Sequence, residues 1–219
     1  MDKNNNNFRR DDENEVMHEV GDLMPSILTE AVYDGFHKFR VSRNKDQDAF
    51  PEYTESTRGG MLYDRIAASA RTLIDLVQPE NPDLQWRITP NKRATDMLLD
   101  TRFAFRVKRA KRNRRDRTTG VRTKRNKIIK PDTMVCIGQL ILPFPSNQVV
   151  VDDADRTWIT VSFDLDDVEE NIEYVRIGIE LNKRFLWQKP LYETTEGVLA
   201  SLPPQVADMI REMRGRRLA

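Results

Sequence analysis

The chain has 219 residues, with 36 Lys and Arg against 35 Asp and Glu, a net charge of +1, 38% hydrophobic residues and 32% charged ones. Cys136 is the only cysteine and His18 and His37 are the only histidines, which excludes an intrachain disulfide and a cysteine-rich zinc site and argues against a Cys/His or Ser/His/Asp centre. No run reaches the roughly 20 apolar residues that a membrane span needs, so composition predicts a soluble, cytoplasmic protein of one sizeable domain with no membrane association.

Residues 1–20 are polar, Asn-rich and mixed in charge, and they have no apolar stretch of the kind a secretory signal carries. Such a segment buries too little apolar surface to offset its ordering and is expected to be a disordered tail, leaving 21–219 as a single domain. Leu23, Met24, Ile27, Leu28, Ala31, Val32, Phe36 and Phe39 then recur at three- and four-residue spacing, which predicts an amphipathic helix with Asp22 or Ser26 at its start. Residues 41–58 have no period and read as a loop, pinned to the body by Phe50 and Tyr53. A second helix is expected from about Gly60 to Val77, on the stripe Leu62, Ile66, Ala70, Leu73 and Val77, with Pro79 beyond its end.

From there the period changes to two. Leu84, Trp86 and Ile88 alternate with polar residues, as do Phe103, Phe105 and Val107, then Ile159, Val161, Phe163 and Leu165, then Val175, Ile177, Ile179 and Leu181. The apolar run 133–142 and the short run Phe185–Trp187 read as further strands, and Asp166 to Asn171 as a polar connection of hairpin length. Pro203 and Pro204 open a last helix with Val206, Ile210 and Met213 on one face. The pattern is α+β: an antiparallel sheet of about five to seven strands, two N-terminal helices and a C-terminal helix.

Charge is unevenly distributed along these elements. Residues 102–130, RFAFRVKRAKRNRRDRTTGVRTKRNKIIK, hold fourteen Lys or Arg and one acid, Asp116, for a net +13. Residues 151–173 hold nine acids and one Arg, for a net −8. Residues 109–127 have no apolar face, so the basic run is expected to project from the sheet as a loop or β-ribbon, kept extended by its own repulsion. A positive field this dense suits a polyanion, and Arg, which outnumbers Lys here, adds a planar fork for phosphate. The candidate phosphate contacts are Arg106, Lys108, Arg109, Lys111, Arg112, Arg114, Arg115, Arg117, Arg122, Lys124 and Arg125. No aromatic residue lies between Arg106 and Lys130, so base stacking is not expected from this run.

The acidic run offers a different chemistry. Asp164 and Asp166 alternate onto one face of an extended chain, and Glu180 on the next strand is able to join them around Mg²⁺. A D…(D/E)xK nuclease pattern fails on spacing, since Glu180-Leu181-Asn182-Lys183 is one residue too long. There is no P-loop, GxGxxG or HExxH sequence. No cofactor is expected, with Mg²⁺ implied only if the chain is a nuclease.

Several stretches resemble, in order, a family of uncharacterised bacterial proteins: GGMLYDRIAASARTLI (59–74), RFAFRVKRAKRN (102–113), Thr123-Lys124-Arg125-Asn126, WITVSFDLDD (158–167), YVRIGIEL (174–181) and LWQKPL (186–191). The likeness covers about half of the chain. Ser162-Phe163 stands where that pattern has Gly-Tyr, and the basic loop is longer. The family is often encoded beside helix-turn-helix proteins and sometimes fused to zincin-like domains, so the resemblance implies a toxin–antitoxin or phage-defence setting and a partner protein from the same operon. It implies no residue roles. The leading expectation is a non-catalytic nucleic-acid-binding protein, DNA or RNA and homo-oligomeric or not. The alternatives are a module that docks on an acidic protein and a Mg²⁺-dependent nuclease or toxin.

Overall fold

The computed structural model describes residues 12–82, 84–88, 95–99, 102–111, 114–118, 157–166, 169–181 and 184–218. Helix α1 spans Glu13–Val20. Asp12 caps it, its carboxylate accepting from the backbone N–H of Asn14 at 3.0 Å and Glu15 at 3.2 Å, and Gly21 ends it at φ 66°. Val16 and Val20 are buried. This corrects the expectation of a disordered tail through residue 20: two valines four apart and a good cap are enough to dock one short helix. Residues 1–11 lie outside the described residues.

Helix α2 runs Leu23–Lys45, and its first half is buried on all sides, Pro25, Ser26 and Glu30 included. Asp22 occupies the N-cap position but makes no side-chain capping bond. Helix α3 runs Glu55–Val77, with the Thr54 hydroxyl accepting from the N–H of Thr57 at 3.1 Å. It starts five residues before the expected Gly60, with the Thr54 cap offsetting part of the helix cost of Gly59 and Gly60, roughly 1 kcal/mol each. The expected loop thereby contracts to 46–54. Phe50 pins it, meeting Phe39 and Tyr53 edge-on at 5.5 and 5.9 Å. Gly35 permits the close crossing of α2 and α3, since a Cβ there would lie 2.5 Å from the Ile66 Cα.

Among the described residues seven strands follow: β1 Leu84–Ile88, β2 Thr95–Leu99, β3 Phe103–Lys111, β4 Arg114–Thr118, β5 Thr157–Leu165, β6 Ile172–Leu181 and β7 Arg184–Leu191. Their order is β1-β2-β3-β5-β6-β7, with β4 paired to the end of β3. Neighbours are antiparallel except β3 and β5, which are parallel, with Phe103 opposite Thr157 and Arg109 opposite Phe163. The sheet is therefore mixed, not antiparallel as expected. A chain of 45 residues separates β3 from β5, long enough to return to the starting edge before pairing. The apolar run 133–142, expected as a strand, lies outside the described residues. Short helix α4, Glu196–Leu199, and helix α5, Pro204–Leu218, complete the chain.

One face of the sheet carries Phe103, Phe105, Val107, Ile159, Val161, Phe163, Val175, Ile177 and Ile179 into a single core with α2, α3 and α5. The other face is curled. β4 leaves β3 and also comes against β7. β7 passes so close over Gly178 that a Cβ there would strike the carbonyl oxygen of Trp187 and the Phe185 ring. Gly178→Ala is expected to lower stability by about 1–3 kcal/mol, read as a shifted midpoint in urea unfolding.

Candidate nucleic-acid interface

The curled face is polar. β3 gives it Ala104, Arg106 and Lys108; β5 gives Trp158, Thr160, Ser162 and Asp164; β6 gives Tyr174, Arg176, Gly178 and Glu180, each set following from strand alternation and register. Arg106 is only 5% exposed, and its guanidinium lies 4.9 Å from the centre of the Trp158 ring. Lys108 Nζ is 2.7 Å from Glu180 Oε2, which also accepts from the Thr160 hydroxyl at 3.5 Å. Arg109 donates to Glu169 at 2.9 Å and approaches Asp164 at 4.0 Å.

These three cations, named above as candidate phosphate contacts, are thus engaged within the chain. For Lys108, breaking its buried pair with Glu180 costs about 3–5 kcal/mol, more than the roughly 1.5–3 kcal/mol of one charge-assisted hydrogen bond to a phosphate. Of the expected loop or β-ribbon over 109–127, Arg109 and Lys111 end β3, and Arg114, Arg115 and Arg117 lie in β4, antiparallel to β3 and beside β7; 112–113 and 119–127 lie outside the described residues. Arg112, Arg122, Lys124 and Arg125 lie outside the described residues.

The acidic candidates do not converge. Thr160 pairs with Gly178 and Asp164 with Tyr174, so Glu180 lies six residues from Asp164 along β5, about 20 Å away. Asp164 accepts from the N–H of Leu165 at 3.0 Å. Asp166 is consumed by the β5–β6 connection, accepting from the N–H of Glu170 at 2.7 Å and from Asn171 Nδ2 at 2.8 Å. Desolvation acts to raise its pKa, but the Asn171 and backbone hydrogen bonds, with Arg40, outweigh it and hold the carboxyl below its ordinary value. Among the described residues no group of three or more His, Cys, Asp or Glu is placed to hold a metal ion.

That connection is gripped by cations that sequence reasoning missed. Arg40 reaches Glu170 at 3.3 Å, Arg43 also pairs with Glu170, and Arg43 donates to the Glu169 carbonyl at 3.3 Å. Glu169 holds φ 56°, uncommon for a residue with a side chain. The acidic run is therefore neutralised in part by α2 and β3. A second missed group joins α2 to α3: Ser69 donates to Asp34 at 2.6 Å and accepts from Lys38 at 3.1 Å, while Lys38 pairs with Asp34 at 2.7 Å. Ser69 is completely buried, so this is a structural tie and not a reachable nucleophile. Only the four-residue spacing of Asp34 and Lys38 was visible beforehand.

In comparisons with known protein families, curated proteins and solved structures, nothing matches this chain.

Proposed function

We propose that this protein binds nucleic acid through the basic run that begins at the end of β3, acting without catalysis of its own beside a partner protein in a small bacterial or phage complex. The observation that carries this reading is the density of charge, fourteen cations to one acid in 102–130. With Arg106, Lys108 and Arg109 engaged internally, the phosphate contacts fall to Lys111, Arg112, Arg114, Arg115, Arg117, Arg122, Lys124 and Arg125. Cations of the last helix do not compete for this role. In α5, Arg211 pairs with Glu196 and Asp208, Arg216 with Glu212, and Arg214 and Arg217 with Glu30. Contacts made to phosphate fix position and carry no base sequence, so recognition rests on form more than on sequence. Electrophoretic shifts with single- and double-stranded DNA and RNA at two salt concentrations test the reading. Retention that weakens steeply with salt is expected; no retention at low salt refutes it.

A further inference from the structure

Strand β7 exposes side chains that the fold leaves unused. Its pairing skips one residue: Phe185 opposes Glu180 and Trp187 opposes Ile179, so Leu186 forms a bulge without a partner on β6. Four large hydrophobics are exposed among the described residues, and two of them, Leu186 at 51% and Tyr192 at 78%, lie on or just beyond this strand. Tyr192 makes no hydrogen bond or ring contact, and Lys189, exposed between them, makes no ion pair among the described residues. The sole carboxylate in residues 184–193 is Glu193, which Arg217 meets at 3.4 Å. Strand β4, with three arginines in five residues, lies against this same strand.

An exposed aromatic ring, an apolar side chain and an unpaired lysine, strung over about 20 Å beside an arginine-rich strand, form the pattern that takes unpaired bases and their backbone. We infer that β7 and Tyr192 form a docking surface for single-stranded nucleic acid, with a base stacked on the Tyr192 ring, a second base against Leu186 and the backbone along Lys189. This rests on the nucleic-acid reading and deepens it. The basic run contains no aromatic residue beyond Arg106, but folding brings it beside a strand that supplies one. Duplex is a poorer fit, because its bases are already stacked and present no free face to Tyr192.

The test is fluorescence anisotropy of the full chain with short single strands of DNA and of RNA, the same strands with abasic sites, and the matching duplexes. Tyr192→Ala is expected to weaken single-strand binding roughly 5- to 100-fold. Tyr192→Phe should retain it, since the ring suffices, and duplex binding should not change. Tyr192 is mostly solvated, so the variant is expected to fold, and unchanged circular dichroism checks this. Abasic strands should bind wild type and Tyr192→Ala alike. Equal affinity of wild type and Tyr192→Ala for intact strands, or equal weakening with duplex, overturns the stacking surface while leaving the cationic run intact as a binding element. Absence of salt-dependent binding to every polymer overturns both.

Discussion

Replacing Arg112, Arg114 and Arg115 together by Ala is expected to reduce the slope of log affinity against log salt by about 2 to 3, at roughly 0.7 to 0.9 for each phosphate left unneutralised. With eight cations available for phosphate, the wild-type chain should bind roughly 10³- to 10⁵-fold more weakly at 200 mM salt than at 50 mM. The triple variant should bind more weakly at low salt and vary less as salt rises, because fewer counterions are released. Anisotropy titrations at four or more salt concentrations would measure both slopes. Urea unfolding of the triple variant, unchanged from wild type, would show that the altered slope is not a loss of fold. An unchanged slope would mean that the arginines meet no phosphate, and would favour docking on an acidic protein surface instead.

Substituting Glu30 is expected to have the largest effect on stability. Its side chain is completely buried in α2. It accepts from the backbone N–H of Thr194 at 2.9 Å and from Arg217 at 2.9 Å, and Arg214 pairs with it as well. Arg217 also lies 5.6 Å from the Tyr33 ring centre. Tyr33 has its hydroxyl pKa raised by burial, with Glu193 and Glu30 adding to the rise and Arg217 opposing it. Glu30→Ala removes the anion and leaves two partly buried guanidinium groups and a backbone donor without their acceptor. The expected loss is about 3–5 kcal/mol, a large part of the stability of most domains. Replacing Glu30 by Leu with Arg214 and Arg217 both changed to Met should lose less, since apolar groups of similar volume need no counter-charge. Urea unfolding followed by circular dichroism distinguishes the two. A loss below about 1 kcal/mol in Glu30→Ala would show that the network adds little to stability.

Periodicity made much of the core legible. The stripes from Leu23 to Phe39 and from Leu62 to Val77 are the buried faces of α2 and α3, and the alternations at 103–107, 159–165 and 175–181 are the core face of the sheet. Strand β2, TDMLL, escaped notice because five residues with two adjacent leucines show no alternation. The parallel pairing of β3 with β5 was out of reach for a different reason: alternation fixes which face a residue takes, not which strand lies beside it. Glu30 could have been suspected as a charge inside an apolar stripe, but its arginine partners lie more than 180 residues away. The same limit applied to charge. Counting cations located the basic run, yet it could not separate Lys108, held by Glu180, from Arg115, four residues beyond the end of β3.

The Glu30 contacts also bear on the order in which the molecule can be assembled. Helix α2 leaves the ribosome before α5, and the two guanidinium groups that neutralise its interior carboxylate emerge only with the last turns of α5. A nascent chain stalled before residue 214 would hold a bare anion in the centre of its forming core, and would favour a loosened α2 over a finished one. Completion of the fold is thereby coupled to completion of synthesis up to α5, so that products truncated before this point are left incompletely packed.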